Sequence, residues 1–243
     1  MPDNSISLNK FISDTGYCSR READRLIDQA RVLLNDEIAV RGNRYTPGDS
    51  VVVDGSLVTT AKPKKEKRIY IAFNKPVGIT CTTDENIAGN IISFINFKKR
   101  IFPIGRLDKD SEGLIFLTND GDIVNKILRA GNEHEKEYIV KVNKSITPFF
   151  IDKMSRGVPV DGTMTLPCKV SRLGNHVFKI ILKQGLNRQI RKMCAHFEYE
   201  VEQLKRVRIM NVPLDKLAVG KWRYLSDAEM QGIHNMIKDS SKT

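Results

Sequence analysis

The sequence predicts an α+β protein with two domains of unequal size: a small module of two helices and short strands, and a larger, mainly antiparallel α+β domain. Three observations predict this division. Helix signals dominate residues 8–30, short β runs dominate the chain from Ile69 onward, and a charged stretch separates the two regions. We therefore predict a first domain at residues 1–60, a linker at 61–68 and a second domain at 69–243.

The small module should open with a pair of amphipathic helices. Ser19 and Glu22 have the spacing of a capping box, which predicts the start of the second helix. Its apolar stripe at positions i, i+3, i+4 and i+7 is formed by Ala23, Leu26, Ile27 and Ala30. A shorter first helix should end at Gly16, and its apolar face is formed by Leu8, Phe11 and Ile12. We expect the two helices to pack as a pair.

Short strands should complete the small module. The run VLLNDEIAV predicts two strands around a turn at Asn35 and Asp36, and the turn residues PGD precede a further strand at residues 51–53. The segment AKPKKEKR then lacks apolar periodicity, contains Pro63, and spans at most about 26 Å when fully extended. We interpret it as an exposed tether of short reach between the two domains.

The second domain is predicted to contain many short strands and fewer helices. The β runs are IYIAF, GLIFLT, EYIVKV, HVFKIIL and the region 201–209. Helices are predicted near residues 122–128, 147–154 and 188–196. A last helix should begin at Ser226, because Glu229 completes a capping box, and its apolar side is formed by Met230, Ile233 and Ile237.

The charge of the chain favours a polyanionic partner. The net charge is +11, made up of −2 for residues 1–60, +4 for residues 61–68 and +9 for residues 69–243. A surplus of Lys and Arg on a globular protein favours binding to phosphate, which RNA presents at high density, although charge alone does not distinguish RNA from DNA or a membrane surface. The basic surplus belongs to the linker and the larger domain.

Membrane insertion and metal binding are not predicted. No apolar run approaches the roughly 18 residues needed to span a bilayer, and the first ten residues lack the pattern of a secretory leader, so we expect a cytoplasmic protein. The four cysteines lie far apart, without a CxxC pair or a histidine at ligand spacing. We expect reduced thiols and no zinc at Cys18, Cys81, Cys168 and Cys194.

A polar loop, GRLDKDSEGL at residues 105–114, leads directly into an apolar strand and is the first candidate for chemistry. One interpretation is a solvated connecting loop. Another is a calcium loop, since Asp108, Asp110 and Glu112 fit its first positions. Asn119 stands where calcium would require a bidentate glutamate, and both flanks resemble strands rather than helices, which disfavours calcium.

Five segments, in chain order, resemble the pseudouridine synthases of the small-subunit and large-subunit ribosomal RNA branch. SRREADRLI followed by VLLND resembles the RNA-binding module named after ribosomal protein S4, and NKPVGI resembles the loop that opens the catalytic domain. RLD resembles the loop with the catalytic aspartate, EKEYIV the strand with the active-site tyrosine, and QGLNRQIRKM the basic motif. The resemblance covers nearly the whole chain and implies an S4-type module tethered to a catalytic domain.

This resemblance implies roles for individual residues. Asp108 falls on the catalytic carboxylate, and Tyr138 falls on the tyrosine that would stack on uracil and take the C5 proton. On residues alone, Tyr138 alternates with Val140 along one strand face and could be a core tyrosine. Arg191 would hold Asp108 in its charged form, with Arg188 as the alternative partner.

The chemistry implied for Asp108 leaves three possibilities open. The carboxylate could act as a base at the ribose, as a nucleophile at C1′, or as a stabiliser of positive charge there. Proton abstraction at C2′, giving a glycal, is the hypothesis we prefer. The reaction consumes no cofactor or redox partner, so none is expected.

RNA binding is expected along both domains. Candidate phosphate contacts in the larger domain are Lys75, Arg106, Lys109, Arg129, Lys136, Arg188, Lys192, Lys205, Arg206 and Arg208, with Arg106 better suited to ordering the catalytic loop. Candidates in the small module are Lys10, Arg20, Arg21 and Arg25. The target uridine would have to be flipped out of its stack.

We expect large-subunit ribosomal RNA as the substrate, with transfer RNA as an alternative, and a monomeric protein without a membrane partner. One rival function is a non-catalytic RNA-binding or ribosome-assembly protein. Another is a sugar hydrolase, which would require a second carboxylate such as Asp110 or Glu112.

Overall fold

A computed structural model describes residues 4–58, 67–84, 86–128 and 133–238. The chain divides into two compact units, Met1–Lys67 and Arg68–Thr243. Apart from its last two residues, the segment that we predict to be a linker lies outside the described residues. The predicted α+β class is confirmed for both units.

Within residues 4–58, the first unit contains two helices and six short strands. Its elements are β1 (Ile6–Ser7), α1 (Leu8–Asp14), α2 (Arg20–Asp28), β2 (Val32–Leu34), β3 (Glu37–Ile38), β4 (Arg44–Tyr45), β5 (Val51–Val53) and β6 (Ser56–Leu57). As predicted, the Ser19 hydroxyl caps α2 by accepting a hydrogen bond from the Glu22 N–H at 3.1 Å. Gly16, with φ of 84°, follows the end of α1.

The end of α2 differs from the predicted stripe. Ala30 is exposed and lies beyond the helix, in the left-handed region with φ of 56°. Its N–H bonds to the carbonyl of Ile27, and the N–H of Arg31 bonds to the carbonyl of Leu26. These two bonds form a Schellman motif, with alanine at the position where glycine is usual, so Ala30 turns the chain toward β2 instead of extending the stripe.

A four-stranded sheet in the order β3-β2-β5-β6 completes the first unit. The predicted turn between β2 and β3 is present, with Asn35 and Asp36 both at positive φ, which suits a tight antiparallel hairpin. The core joins the helices to this sheet through Leu8, Phe11, Ile12, Ala23, Leu26, Ile27, Val32, Val51 and Val53.

The second unit is built on one large mixed sheet. Its elements are β7 (Tyr70–Lys75), α3 (Ile91–Ile95), β8 (Phe102–Ile104), β9 (Glu112–Thr118), α4 (Gly121–Leu128), β10 (Lys136–Val142), α5 (Pro148–Arg156), β11 (Pro159–Val160), β12 (Thr163–Met164), β13 (Lys169–Arg172), β14 (Val177–Leu182), α6 (Gln189–His196), β15 (Val201–Ile209), β16 (Val212–Pro213), β17 (Trp222–Tyr224) and α7 (Asp227–Met236). The main strand order is β13-β14-β10-β15-β9-β7-β17. The pairs are antiparallel except for β15 with β9, which is parallel. The predicted capping box at Ser226 and Glu229 is present.

Helices cover both faces of this sheet. Along β9, Ile115 and Leu117 belong to one core cluster, with side chains of α3, α5 and α6. Leu114 and Phe116 belong to a second cluster, with side chains of α4 and α7. A strand buried on both faces has no polar alternation, which explains why GLIFLT is a continuous apolar run.

The parallel pairing of β15 with β9 requires a glycine at the point where the polar loop enters the sheet. Gly113 lies opposite Arg206 and has φ of 113°. A Cβ at this position would clash with the backbone carbonyl oxygen of Arg206. The close approach fixes the loop before Glu112 against the strand that follows α6.

Within the described ranges, the structure has no helix of the length and apolar character that crossing a membrane requires.

Candidate active site

A cleft of about 460 Å³ in the second unit brings together the loop before β9, strands β10 and β15, and the start of α6. It contains all three residues that we predict to be catalytic, and four of the predicted RNA contacts also line it. The lining includes Arg106, Asp108, Lys136, Tyr138, Arg188, Arg191 and Arg206. Residues separated by up to a hundred positions in sequence thus meet at one site.

The polar loop presents Asp108 to the cleft on a tight turn. The Ser111 N–H bonds to the carbonyl of Asp108 at 3.1 Å, and the Gly78 N–H bonds to the carbonyl of Lys109 at 2.7 Å. Ser111 is fully buried, whereas 33% of the Asp108 side chain is exposed. The NKPVGI segment therefore supports the loop from behind, and the Asp108 carboxylate remains open to a substrate.

Arg188, rather than Arg191, is the arginine that approaches Asp108. Its Nη1 lies 3.8 Å from the Asp108 Oδ2, while both of its terminal nitrogens bond to the Asp110 carboxylate at 3.1 and 2.9 Å. These bonds hold the pKa of the Asp110 carboxyl below its usual value. The expected ion pair between Arg191 and Asp108 is not present in this structure, so the alternative partner is the one observed.

Arg191 instead ties the loop to the sheet. It donates to the carbonyl of Val201 at 3.0 Å, to the carbonyl of Asp110 at 3.0 Å and to the Ser111 hydroxyl at 3.3 Å. Its Nε lies 3.4 Å from the Asp110 carboxylate without a hydrogen-bond alignment. Arg188 is the N-cap residue of α6 and Arg191 lies in its first turn, so both side chains reach the same loop.

Tyr138 and Arg206 lie on neighbouring strands of the cleft. They are cross-strand partners of β10 and β15, and the Arg206 guanidinium carbon lies 6.0 Å from the Tyr138 ring centroid. Arg206 is 4% exposed, and it donates to the carbonyls of Leu114 at 2.6 Å and Arg106 at 3.5 Å. It braces both ends of the polar loop that carries Asp108. From the sequence, only a phosphate contact is predicted at Arg206, because strand register cannot be read from local pattern.

Lys136 lies two residues before Tyr138 on the same face of β10. Its ammonium makes a long contact of 3.4 Å to the carbonyl of His134. Burial, helped by the positive charge of Arg206, lowers the pKa of Lys136 to about 8. The Nη2 of Arg206 is buried without a hydrogen-bond partner. The cleft floor therefore carries two cations whose charge a substrate could neutralise.

Several predicted phosphate contacts are occupied by the protein itself. Lys75 is fully buried and donates to the carbonyls of Pro76 and Ile79, so its prediction as an RNA contact is wrong: it closes the NKPVGI loop. Arg208 donates to the carboxylates of Glu135 and Glu137 and to the carbonyl of Met210, and its role as an RNA contact stays a prediction.

Other basic candidates remain at the surface. Lys192 pairs with Asp161 at 2.5 Å and Lys205 with Glu112 at 3.1 Å, and both pairs are partly exposed. Arg106 and Lys109 are exposed beside Asp108. Arg129 lies outside the described residues.

The small module keeps its basic candidates on α1 and α2. Arg20, Arg21 and Arg25 are exposed, and Arg25 pairs with Glu22 at 2.5 Å. Lys10 lies 4.0 Å from Asp14. Their roles as RNA contacts stay predictions.

The acidic residues of the loop have cationic partners. Asp110 is held by Arg188, and Glu112 pairs with Lys205. Within the ranges that the structure covers, no group of three His, Cys, Asp or Glu side chains could hold a metal ion.

Comparison with known proteins identifies the family. The family described as RNA pseudouridylate synthase matches residues 69–196, and the S4 domain matches residues 7–51. The chain belongs to the RNA pseudouridylate synthase family and carries an S4 domain. It is an isomerase that converts uridine in RNA to pseudouridine, rather than a non-catalytic RNA-binding protein.

Individual relatives are similar over nearly the whole chain. The chain is 56% identical over 242 residues to "Dual-specificity RNA pseudouridine synthase RluF" of Escherichia coli, which covers 99% of this chain and 82% of that protein. It is 32% identical over 234 residues to "Ribosomal large subunit pseudouridine synthase B" of Bacillus subtilis, covering 92% and 93%. The sequences of residues 106–138 and 187–200 resemble RluF in particular, and the 56% identity confirms this resemblance.

A solved structure described as "Crystal structure of pseudouridylate synthase" has the same fold. It matches 94% of this chain and 99% of its own, with a TM-score of 0.68 and 28% identity.

Proposed function

We propose that this synthase modifies large-subunit ribosomal RNA, with a transfer RNA as a second substrate, and that Asp108 is its catalytic carboxylate. The observation that carries the catalytic assignment is the position of Asp108, which lines the same cleft as Tyr138 and has the Arg188 Nη1 at 3.8 Å from its carboxylate. The names of the relatives, which specify the large ribosomal subunit or a dual specificity, support the choice of RNA.

The reaction sets clear demands on this cleft. The N1–C1′ bond breaks, the uracil turns, and a C5–C1′ bond forms; C5 loses its proton and N1 gains one. A carboxylate near the ribose suits each of the three roles open to Asp108, namely base, nucleophile and charge stabiliser. The Tyr138 ring offers a stacking surface for the uracil, and its hydroxyl is a candidate acceptor for the C5 proton.

The arginines of α6 keep this arrangement in register. Arg188 supplies positive charge near Asp108, while Arg191 and Arg206 fix the backbone on either side of it. A geometry held within a few tenths of an ångström matters because a misplacement of about 1 Å can cost about 100-fold in rate. We assign Arg188 and Arg191 to positioning rather than to proton transfer.

Substrate RNA must present a flipped uridine to the cleft, and its backbone must be held meanwhile. Arg106 and Lys109 are exposed beside Asp108 and could contact the phosphates next to the target. The S4 domain would add a second anchor through Arg20 and Arg21, so two weak contacts reinforce each other. We further propose that the protein is a monomer, because its sequence contains no coiled-coil heptad pattern that would favour a dimer.

Tritium release from unmodified large-subunit ribosomal RNA labelled at C5 of uridine tests the catalytic assignment. We expect Asp108→Asn to lower release by at least about 1000-fold while RNA affinity changes by less than about threefold, since removal of a unit of catalytic machinery leaves binding intact. Arg172→Gln, at an exposed position away from the cleft, is the matched control and should behave like the natural protein. Full tritium release by Asp108→Asn would contradict the catalytic role of Asp108, and the absence of release by the natural protein would contradict large-subunit ribosomal RNA as the substrate. Release of free uracil would indicate the hydrolase.

A further inference from the structure

The edge of the large sheet farthest from β13 carries an aromatic patch that the cleft does not use. It consists of Phe97, Trp222 and Tyr224, and we call it the edge patch. Trp222 and Tyr224 lie on one face of β17, and their ring centroids are 5.4 Å apart at an angle of 81°. Phe97 packs edge-on against both, at 5.3 and 6.4 Å.

The two outer rings are open to solvent. Trp222 is 37% exposed and Tyr224 is 58% exposed, and a cluster of exposed rings is more informative than a single exposed apolar residue. Their positions are fixed, because β17 pairs with β7 through Trp222 opposite Phe73 and Tyr224 opposite Ile71. Rigid aromatic faces at a surface lose little conformational freedom when they bind a planar partner.

Basic residues adjoin these rings in sequence. Lys98, Lys99 and Arg100 follow Phe97 directly and are exposed, and Lys221 precedes Trp222 and is exposed. Arg223, between the two ring residues of β17, bonds its guanidinium to the Glu229 carboxylate at 2.7 Å. The edge patch thus combines stacking surfaces with four neighbouring cations.

This combination matches the chemistry of unpaired RNA. Proteins that bind single-stranded nucleic acid combine aromatic rings, on which bases stack, with cations that follow the phosphates. Paired bases hide their faces inside a duplex, so only unpaired nucleotides can use such rings. A second copy of this chain is the poorer partner, because each copy carries a net charge of +11.

We propose that the edge patch is a second RNA contact of this synthase, which stacks one or two unpaired bases of the substrate outside the cleft, while Lys98, Lys99, Arg100 and Lys221 contact the adjoining phosphates. The proposal rests on the activity of the chain toward RNA and not on which RNA it modifies. Through this contact, RNA substrates with an unpaired segment near the target would be preferred over isolated hairpins.

The single tryptophan of the chain makes the proposal directly observable. Because Trp222 is that tryptophan, a stacked base should quench the intrinsic fluorescence of the protein. We would titrate the full chain with an oligouridylate of about ten nucleotides, which suits the site sizes known for single strands. A duplex RNA of equal length is the comparison, and it should leave the fluorescence largely unchanged.

Variants separate stacking from charge and from folding. Trp222→Ala and Tyr224→Ala should each weaken oligouridylate binding by roughly 5- to 150-fold, the range measured for loss of one stacked base. Trp222→Phe, which keeps a ring, should retain most of the affinity. Phe149→Ala is the matched control, since Phe149 is 63% exposed with Lys153 5.4 Å from its ring, but it lies on α5. It should bind like the natural protein.

The outcomes are distinct. Quenching by the single strand, together with weaker binding by both alanine variants and unchanged kcat at saturating ribosomal RNA, would support the proposal. Unchanged fluorescence, together with an unchanged affinity of Trp222→Ala for the oligouridylate, would overturn it. A loss of affinity seen only when Lys98 and Lys99 are replaced would also overturn it, because binding would then depend on charge alone. Repeating the titration with Asp108→Asn separates this contact from catalysis, because its quenching should equal that of the natural protein.

Discussion

The buried cation at the floor of the cleft gives a prediction about stability as well as function. We consider Lys136→Met, which keeps the length of the side chain and removes its charge. In the folded state, burial lowers the pKa of Lys136 to about 8, against an ordinary value of 10.5. At about 1.4 kcal/mol for each pKa unit, the folded state at pH 7 is destabilised by at most about 3.5 kcal/mol relative to an apolar side chain.

The sign of the pH dependence follows from the lowered pKa. Below pH 8 both states carry the proton, so the full cost of burying the cation is present. Between pH 8 and 10.5 the folded protein releases this proton before the unfolded chain does, and the cost disappears. The advantage of Lys136→Met in free energy of unfolding should therefore be largest near pH 7 and should vanish toward pH 10.5.

Urea unfolding followed by Trp222 fluorescence measures this difference in the larger unit. Lys141→Met on the same strand is the control, since Lys141 is 46% exposed and pairs with Glu202 at 2.9 Å, and its effect should stay within about 0.5 kcal/mol. Lys136→Met should also weaken RNA binding and reduce its dependence on salt. If Lys136→Met destabilises the protein at pH 7, or its effect does not change up to pH 10, the reasoning about this cation is refuted.

Three further predictions concern the scaffold of the cleft. Gly113→Ala should destabilise the larger unit by more than about 3 kcal/mol in urea unfolding, because its Cβ would clash with the Arg206 backbone. Gly162→Ala, with open space around it, should cost about 1 kcal/mol. Equal costs for the two variants would contradict the close approach of the strands at Gly113. Arg188→Lys should lower kcat by about 10- to 100-fold in the tritium assay with little change in RNA affinity, because one ammonium cannot replace the paired hydrogen bonds to Asp110. A kcat equal to that of the natural protein would contradict a positioning role for Arg188. Ser226→Ala should lower the free energy of unfolding by about 0.5–2 kcal/mol through loss of the α7 cap, while Ser226→Thr should recover most of it; no loss on alanine substitution would show that the cap is redundant.

Local signals predicted the elements of this fold well. Capping at Ser19 and Ser226, the hairpin at Asn35 and the apolar run of β9 each depend on a few adjacent residues, and all were confirmed. The wrong prediction that Ala30 extends the apolar stripe of α2 also has a local cause. Ala30 adopts the left-handed conformation that ends a helix, and this position is usually marked by a glycine in the sequence. Several short elements were missed, since two to five residues give no measurable periodicity; they are α3, β1, β4, β6, β8, β11, β12, β13, β16 and β17.

Long-range pairing set the limits of prediction at the site. The resemblance brought Asp108, Tyr138 and Arg191 to attention, and the structure brings them to one cleft. Which arginine approaches Asp108 depends on the geometry of the first turn of α6, and the brace at Arg206 depends on its register against two strands. Neither relation is encoded in adjacent residues.

Burial likewise could not be assigned to single cations from sequence. Lys75 and Arg208 contribute to the basic surplus in the same way as Lys109. Lys75, however, donates hydrogen bonds to backbone carbonyls, and Arg208 pairs with carboxylates of the protein itself. The sign of a charge is visible in the sequence, whereas its exposure is a property of the packed sheet.

The most direct test of the central claim is a map of pseudouridine in ribosomal RNA from cells that lack this protein, complemented either with the natural chain or with Asp108→Asn. The account predicts that pseudouridine disappears from a large-subunit site in the deletion, returns with the natural chain, and stays absent with Asp108→Asn. Survival of every ribosomal pseudouridine in the deletion would contradict the proposed substrate, and restoration of the site by Asp108→Asn would contradict the role of Asp108.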